Sequence, residues 1–450
     1  MLKRKIYSKL LDWKHNSQGT SALLIEGARR IGKSFIAEKF AQQEYENYIL
    51  IDFSRAPEQV KKWFDDYLED IDMLLMNLQL HYNRRLTPRR SLFIFDEVQE
   101  CPRARASIKH LVADGRFDYL ETGSLISIKK NVKDILIPSE EEAIEMYPMD
   151  FEEFMWAMGE ELLANHIRKC FENHEPMRHF HRRALDLFRQ YLIVGGMPQA
   201  VAKYVETRDF VLVDNIKRQI IRLYRNDINK YADRVEVRAT AVFDALPGQL
   251  QKHDRTFRLN ALGQQQRMRT LEDAFLWLAD ANIVNCCYNT TSPDMGLRLN
   301  ERRSTLKCYM NDTGLLLSHA FDSQSIARQE LYRKFMHNKL ELNEGMLIEN
   351  VVAQMLRSAG HKLFFFHQVD NEHAENRMEI DFLIYKPTVT SRHNISPIEV
   401  KSSTRYRLTS LKKCISKYGS FLATPYVIHS NDYKQEEGII YIPIYMTELL

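Results

Sequence analysis

Residues 22–34 read Ala-Leu-Leu-Ile-Glu-Gly-Ala-Arg-Arg-Ile-Gly-Lys-Ser. The apolar run Leu23 to Ile25 leads into Gly27, Gly32, Lys33 and Ser34 at the spacing G-x-x-x-x-G-K-S, and Phe35 to Phe40 is helical in pattern. A strand, a glycine-bearing turn and a helix in that order restrict the fold severely. The glycines let backbone N–H groups wrap a phosphate, and the helix N-terminus adds positive potential. The spacing therefore predicts an ATP site in an α/β domain with a parallel sheet. Its nucleotide-binding residues are Gly27, Ala28, Arg29, Arg30, Ile31, Gly32, Lys33 and Ser34, with Lys33 reaching the β/γ-phosphates and the Ser34 hydroxyl ligating Mg²⁺.

A second motif completes the first. The run Ser91 to Phe95 ends in Asp96-Glu97, and a strand of this kind delivers its carboxylates to the carboxyl edge of a parallel sheet, where ligands bind. Asp96 is expected to hold Mg²⁺ through water, and Glu97 to orient the attacking water as the catalytic carboxylate. Tyr119 to Ser124 reads as a further strand ending in hydroxyls. Thr122 and Ser124 are candidates for γ-phosphate contact, with ordinary turn chemistry as the alternative. Between these motifs, one helical stretch is expected from Pro57 to Tyr82, and Glu140 to Glu142 reads as a solvated loop.

At 450 residues the chain exceeds a single core. Lys plus Arg number 63 against 60 for Asp plus Glu, so any basic surface must be local. The six cysteines are scattered without a C-x-x-C pair, which argues against a zinc site or a disulfide framework and for reduced thiols. No apolar stretch long enough for a membrane span is present, and the basic start Met1 to Lys5 lacks an apolar core behind it. The expected location is cytoplasmic.

Beyond residue 150 the pattern is helical to about Ala232, broken at Gly195-Gly196-Met197-Pro198. The stretch 212–230 carries Lys217, Arg218, Arg222, Arg225 and Lys230, either as a solvated face or as cations for phosphate. Helices at 237–252 and 269–284, followed by β-like runs at Ile283 to Tyr288 and Leu306 to Met310, describe a winged helix. Glu272, Asp273 and Asp280 on its candidate recognition helix favour protein docking over DNA. The expected domains are 1–150, 151–235, 236–320 and 335–450. In the last, alternation puts Glu399 and Lys401 on one face of a strand. If Asp381 faces them, Asp381, Glu399 and Glu349 converge to hold Mg²⁺ and Lys401 sits beside the activated water, so that Asp381, Glu399 and Lys401 are catalytic. A structural ion pair is the alternative.

Gly27 to Ser34, Phe95-Asp96-Glu97-Val98-Gln99-Glu100, Thr122-Gly123-Ser124, Tyr309-Met310-Asn311-Asp312-Thr313-Gly314 and the Glu349, Asp381, Glu399, Lys401 set together resemble prokaryotic AAA-type ATPases fused to a C-terminal domain related to PD-(D/E)xK nucleases. The resemblance implies a P-loop ATPase, a helical lid, a winged helix and a restriction-endonuclease-like α/β module. Implied with it are ATP hydrolysis with Mg²⁺, a metal-dependent deoxyribonuclease or an inert domain of that fold, DNA or a protein as partner, and an oligomer. Two departures stand out. Relatives commonly carry an arginine after the Thr-Gly-Ser segment, where Ile126 to Ser139 offers only lysines, and Glu372, Glu375 and Glu379 crowd Asp381.

Overall fold

The structure is a computed structural model describing residues 2–124, 139–232, 235–251, 268–293, 296–321, 332, 336, 344–368, 372–373, 376–385, 394–403 and 405–450. The chain divides into two compact units, 4–147 with 280–282, and 1–3 with 148–279 and 283–450.

The first unit is a five-stranded parallel sheet with helices between its strands. Its elements are α1 (Ile6–Ser17), β1 (Ala22–Glu26), α2 (Lys33–Glu44), β2 (Asn47–Asp52), α3 (Glu58–Asp66), α4 (Ile71–His81), β3 (Ser91–Asp96), α5 (Pro102–Asp114), β4 (Asp118–Gly123) and β5 (Glu141–Glu145). The strand order is β2-β3-β4-β1-β5. All of β3 and β4 is buried, as a parallel sheet covered on both faces requires. Phe53, Phe64, Phe93, Phe95 and Tyr119 pack ring against ring on one face, with Phe93 and Tyr119 stacked at 5.6 Å. The single helix expected from Pro57 to Tyr82 is two, because Asp70 takes non-helical angles and its carboxylate caps α4 by accepting from Met73 N at 3.1 Å. The acidic run at Glu140–Glu142 is not a loop. Ala22 to Glu26 pair with Glu141 to Glu145, and Arg105 binds Glu141 through two hydrogen bonds of 2.9 and 2.6 Å, both side chains being buried.

The second unit begins with five helices, α6 (Phe151–Ala157), α7 (Glu161–Glu172), α8 (His181–Val194), α9 (Pro198–Thr207) and α10 (Phe210–Tyr231). Next come α11 (Glu236–Leu250), α12 (Met268–Asp280), β6 (Val284–Thr290), β7 (Glu301–Met310) and α13 (Thr313–Ala320). The unit ends with α14 (Glu344–Ser358), β8 (Phe364–Gln368), β9 (Met378–Tyr385), β10 (Ile395–Val400), α15 (Thr409–Tyr418), β11 (Tyr426–His429), β12 (Lys434–Glu436) and β13 (Ile439–Pro443). One eight-stranded sheet holds every one of these strands, in the order β12-β13-β11-β10-β9-β8-β6-β7. The hairpin expected as the wing of a separate domain is therefore the edge of this sheet, joined where Tyr288, Asn289 and Thr290 pair with Phe364, Phe365 and Phe366. The boundaries expected near 235 and 335 both fall inside this unit.

A buried polar network explains two sequence features at once. The Asp312 carboxylate caps α13 by accepting from Leu315 N at 2.8 Å, and accepts from Gly196 N at 2.5 Å. A Cβ on Gly195 would lie 2.3 Å from the same carboxylate, so the turn between α8 and α9 is glycine because Asp312 presses on it. Asn350 bonds Met310 N and Thr313 Oγ1, while Gln354 accepts from Thr313 and donates to Tyr191. Tyr309 to Gly314 is thus a packing motif.

Candidate functional site

Strand order builds the candidate nucleotide site. Because β4 lies between β1 and β3, the carboxyl ends of these strands are neighbours, with Ile25 beside Thr122 and Phe95 beside Glu121. The loop 27–32 leaves β1, Asp96-Glu97 closes β3, and Thr122 lies near the end of β4.

The loop is held by backbone constraint. Gly27 has φ +151°, and a Cβ there would lie 2.3 Å from the Met146 carbonyl oxygen, so no side chain fits. Arg4, at the start of the chain, donates to Ile31 O at 2.8 Å and to Tyr147 O at 2.6 Å, tying the loop down from outside. Lys33 is buried and its ammonium donates to Gly27 O and Ala28 O, each at 2.9 Å. Burial lowers its pKa, with Glu97 and Asp96 pulling the other way.

Ser34 Oγ donates to Asp96 Oδ1 at 2.6 Å, and the Thr122 hydroxyl donates to the same oxygen. Thr122 Oγ1 also accepts from Glu97 N at 3.3 Å. Burial raises the Asp96 pKa, and the bonds from Ser34 and Thr122 oppose that shift. Glu97 sits in left-handed backbone, φ 52°, and its carboxylate accepts from Gln99 Nε2. A hydroxyl and a carboxylate meeting at one point beside the glycine loop suit a hard divalent cation bound to phosphate. In the sequence Arg4 is one more charge in a basic start, and Gln99 stands within Phe95–Glu100 with no role of its own assigned. Ser124 is half-buried, and 126–138 of the lysine-bearing stretch lie outside the described residues.

Three of the five cations on α10 are engaged in contacts within the second unit. Lys217 is wholly buried and donates to Ile193 O at 2.5 Å, Arg218 pairs with Asp214 at 2.7 Å, and Arg225 pairs with Asp244 at 3.0 Å. Arg222 is exposed.

In the second unit, Asp381 accepts from Val400 N at 2.8 Å, which places it beside Glu399 and Lys401. Lys401 bonds Glu399 at 2.6 Å. Burial, then the Asp381 charge, pushes the Glu399 pKa up to about 7. Lys307 of β7, absent from the sequence reading, lies 2.9 Å from Glu379, 3.3 Å from Glu349 and 3.8 Å from Asp381, and is 1% exposed. Among the described residues, no three His, Cys, Asp or Glu are grouped so as to hold a metal ion. At the point where Mg²⁺ was expected, the Lys307 ammonium stands among these carboxylates.

Comparison with known families matches residues 19–155 to the AAA domain. Beyond that match, 185–325 match a domain of unknown function (DUF8612) and 344–447 another (DUF4143). No curated protein matches the chain. Similar solved structures include the Walker-type ATPase PABY2304 of Pyrococcus abyssi, at 14% identity and TM-score 0.40, covering 71% of this chain and 96% of that one. A Drosophila ORC bound to DNA is 11% identical, with TM-score 0.28 and 72% and 97% covered. The STAND protein PH0952 of Pyrococcus horikoshii, with a tetratricopeptide repeat sensor, is 11% identical with TM-score 0.28, covering 79% of this chain and 48% of that one. No helix among the described residues is long and apolar enough to cross a membrane.

Proposed function

We propose that this chain is an Mg²⁺-dependent ATPase whose nucleotide cycle acts on a nucleic-acid-binding module in its second unit. The observation that carries the first half is the meeting of Ser34 and Asp96 at 2.6 Å beside the buried Lys33. Loop amides and Lys33 bind the β- and γ-phosphates. Ser34 and Asp96 would hold Mg²⁺, which would supply neutralisation of phosphate charge. Glu97, steadied by Gln99 and by Thr122 through its amide, orients the attacking water and takes its proton. Positioning and charge neutralisation account for phosphoryl transfer in sites of this kind, and these side chains supply both.

Support for the second half comes from charge. Between Lys401 and Pro425 the chain carries Lys401, Arg405, Arg407, Lys412, Lys413 and Lys417 and no carboxylate. Arg405, Arg407, Lys412 and Lys417 are exposed, and a shallow hollow on α15 is lined by Arg407, Thr409, Lys412, Lys413 and Ser416. Such a surface suits a phosphodiester backbone. The test is ATP turnover of the full chain with and without single- and double-stranded DNA. Stimulation that disappears in Arg405→Ala/Arg407→Ala supports the coupling. Turnover indifferent to both nucleic acids rejects it.

A further inference from the structure

The carboxylates of Glu349, Glu379 and Asp381 converge on one buried point, and an ammonium already stands there. Lys307 projects from β7 with its side chain 1% exposed, lies over the Phe365 ring at 5.0 Å, and meets Glu379 at 2.9 Å, Glu349 at 3.3 Å and Asp381 at 3.8 Å. Asp381 spends its other oxygen on Val400 N, Glu349 also accepts from Tyr309 OH, and Glu399 is tied to Lys401 at 2.6 Å. A divalent cation needs oxygen ligands at about 2.0–2.6 Å, and one bound by Glu349 and Asp381 would have to stand against a fixed positive charge.

We propose that Lys307 is the resident cation of this cluster, a covalently attached substitute for a divalent metal, so that the second unit grips nucleic acid without cutting it. This deepens the reading of that unit as a nucleic-acid-binding module. The buried ammonium offsets one unit of the acids' negative charge at every ion concentration, whereas a metal would leave on chelation. Lys307 also links β7 to β9 and α14, which makes the counter-ion part of the fold.

The experiment measures Mn²⁺ binding by electron paramagnetic resonance on the full, nucleotide-free chain for the parent, Asp381→Asn, Lys307→Met and the Lys307→Met/Asp381→Asn double variant. The parent and Asp381→Asn are expected to bind equal numbers of Mn²⁺ ions, and neither is expected to nick plasmid DNA. Lys307→Met is expected to gain one Mn²⁺ site, with a rise in melting temperature on adding the ion, and the double variant to lose both. A Mn²⁺ site in the parent that Asp381→Asn removes overturns the proposal, as does a folded Lys307→Met that gains none. Should Lys307→Met fail to fold, the comparison of parent with Asp381→Asn decides alone. The binding measurements contain no ATP, so the outcome leaves the ATPase assignment untouched.

Discussion

Ser34 Oγ stands 2.6 Å from Asp96 Oδ1, across 62 positions of sequence. The hydrogen bond joins the end of the glycine loop to the end of β3, and it exists because a third strand, β4, sets the distance between them. Lys33→Ala is expected to weaken ATP binding about 100-fold by removing a charge-assisted phosphate contact. Glu97→Gln is expected to keep ATP affinity while turnover falls about 10²- to 10⁴-fold. Fluorescent-nucleotide titration run beside phosphate release checks both, and normal turnover by Glu97→Gln would remove its assigned role.

The Thr122 hydroxyl donates to Asp96 and accepts from the Glu97 amide, which makes Thr122 a candidate positioning residue. Thr122→Val keeps the shape and loses the hydroxyl. Turnover is expected to drop about tenfold or more with ATP affinity nearly unchanged, and Thr122→Ser to recover most of it. Equal losses in Val and Ser variants would point to packing instead.

Arg4 holds the loop from outside through Ile31 O and Tyr147 O. Arg4→Met is expected to raise the Kd for ATP about five- to tenfold, the equivalent of about 1 kcal/mol of lost loop order, without altering the melting profile of the second unit. Calorimetric titration measures the first and urea unfolding the second.

Asp312 is fully buried and serves both α13 and the Gly195-Gly196 turn. Asp312→Ala removes a helix cap and orphans the Gly196 amide, a loss of about 2–4 kcal/mol. Asp312→Asn keeps one acceptor and is expected to lose less. Denaturant midpoints for the two variants give the ordering.

His429 is buried, with Nδ1 at 2.9 Å from Tyr406 OH and Nε2 at 3.3 Å from Asp432 O. Burial lowers its pKa from 6.5 to about 4. The folded chain therefore binds fewer protons than the unfolded chain between those values, and stability contributed there is lost as pH falls through them. Between pH 7 and pH 5 the loss is about 2 kcal/mol. His429→Asn is expected to flatten that dependence in urea melts, and an unchanged slope would assign the acid sensitivity elsewhere.

The loop and the acidic strand end were legible because both rest on local requirements: a backbone that only Gly27 allows, and an apolar run that stops at Asp96. The partnership of Thr122 with Asp96 was not legible, since it depends on strand order, which no local pattern records. The hairpin 284–310 matched a wing by element order alone, and only the pairing of Tyr288 with Phe364 shows which sheet owns it. Lys307 did leave a trace, a lone cation between Leu306 and the run Cys308, Tyr309, Met310. A buried lysine in such a strand requires acids nearby. Those acids come from α14 and β9, far along the chain, so the trace pointed to a need and not to the partners that meet it.

The sheet that runs from β6 to β13 also governs how this protein can be taken apart. A fragment excised at residue 344, where one family match starts, would keep Glu349, Glu379, Asp381 and Glu399 and leave Lys307 behind on the discarded piece. Such a fragment would be a stripped acidic cup, apt to scavenge metal from any buffer, and its chemistry would report on the scissors and not on the intact chain.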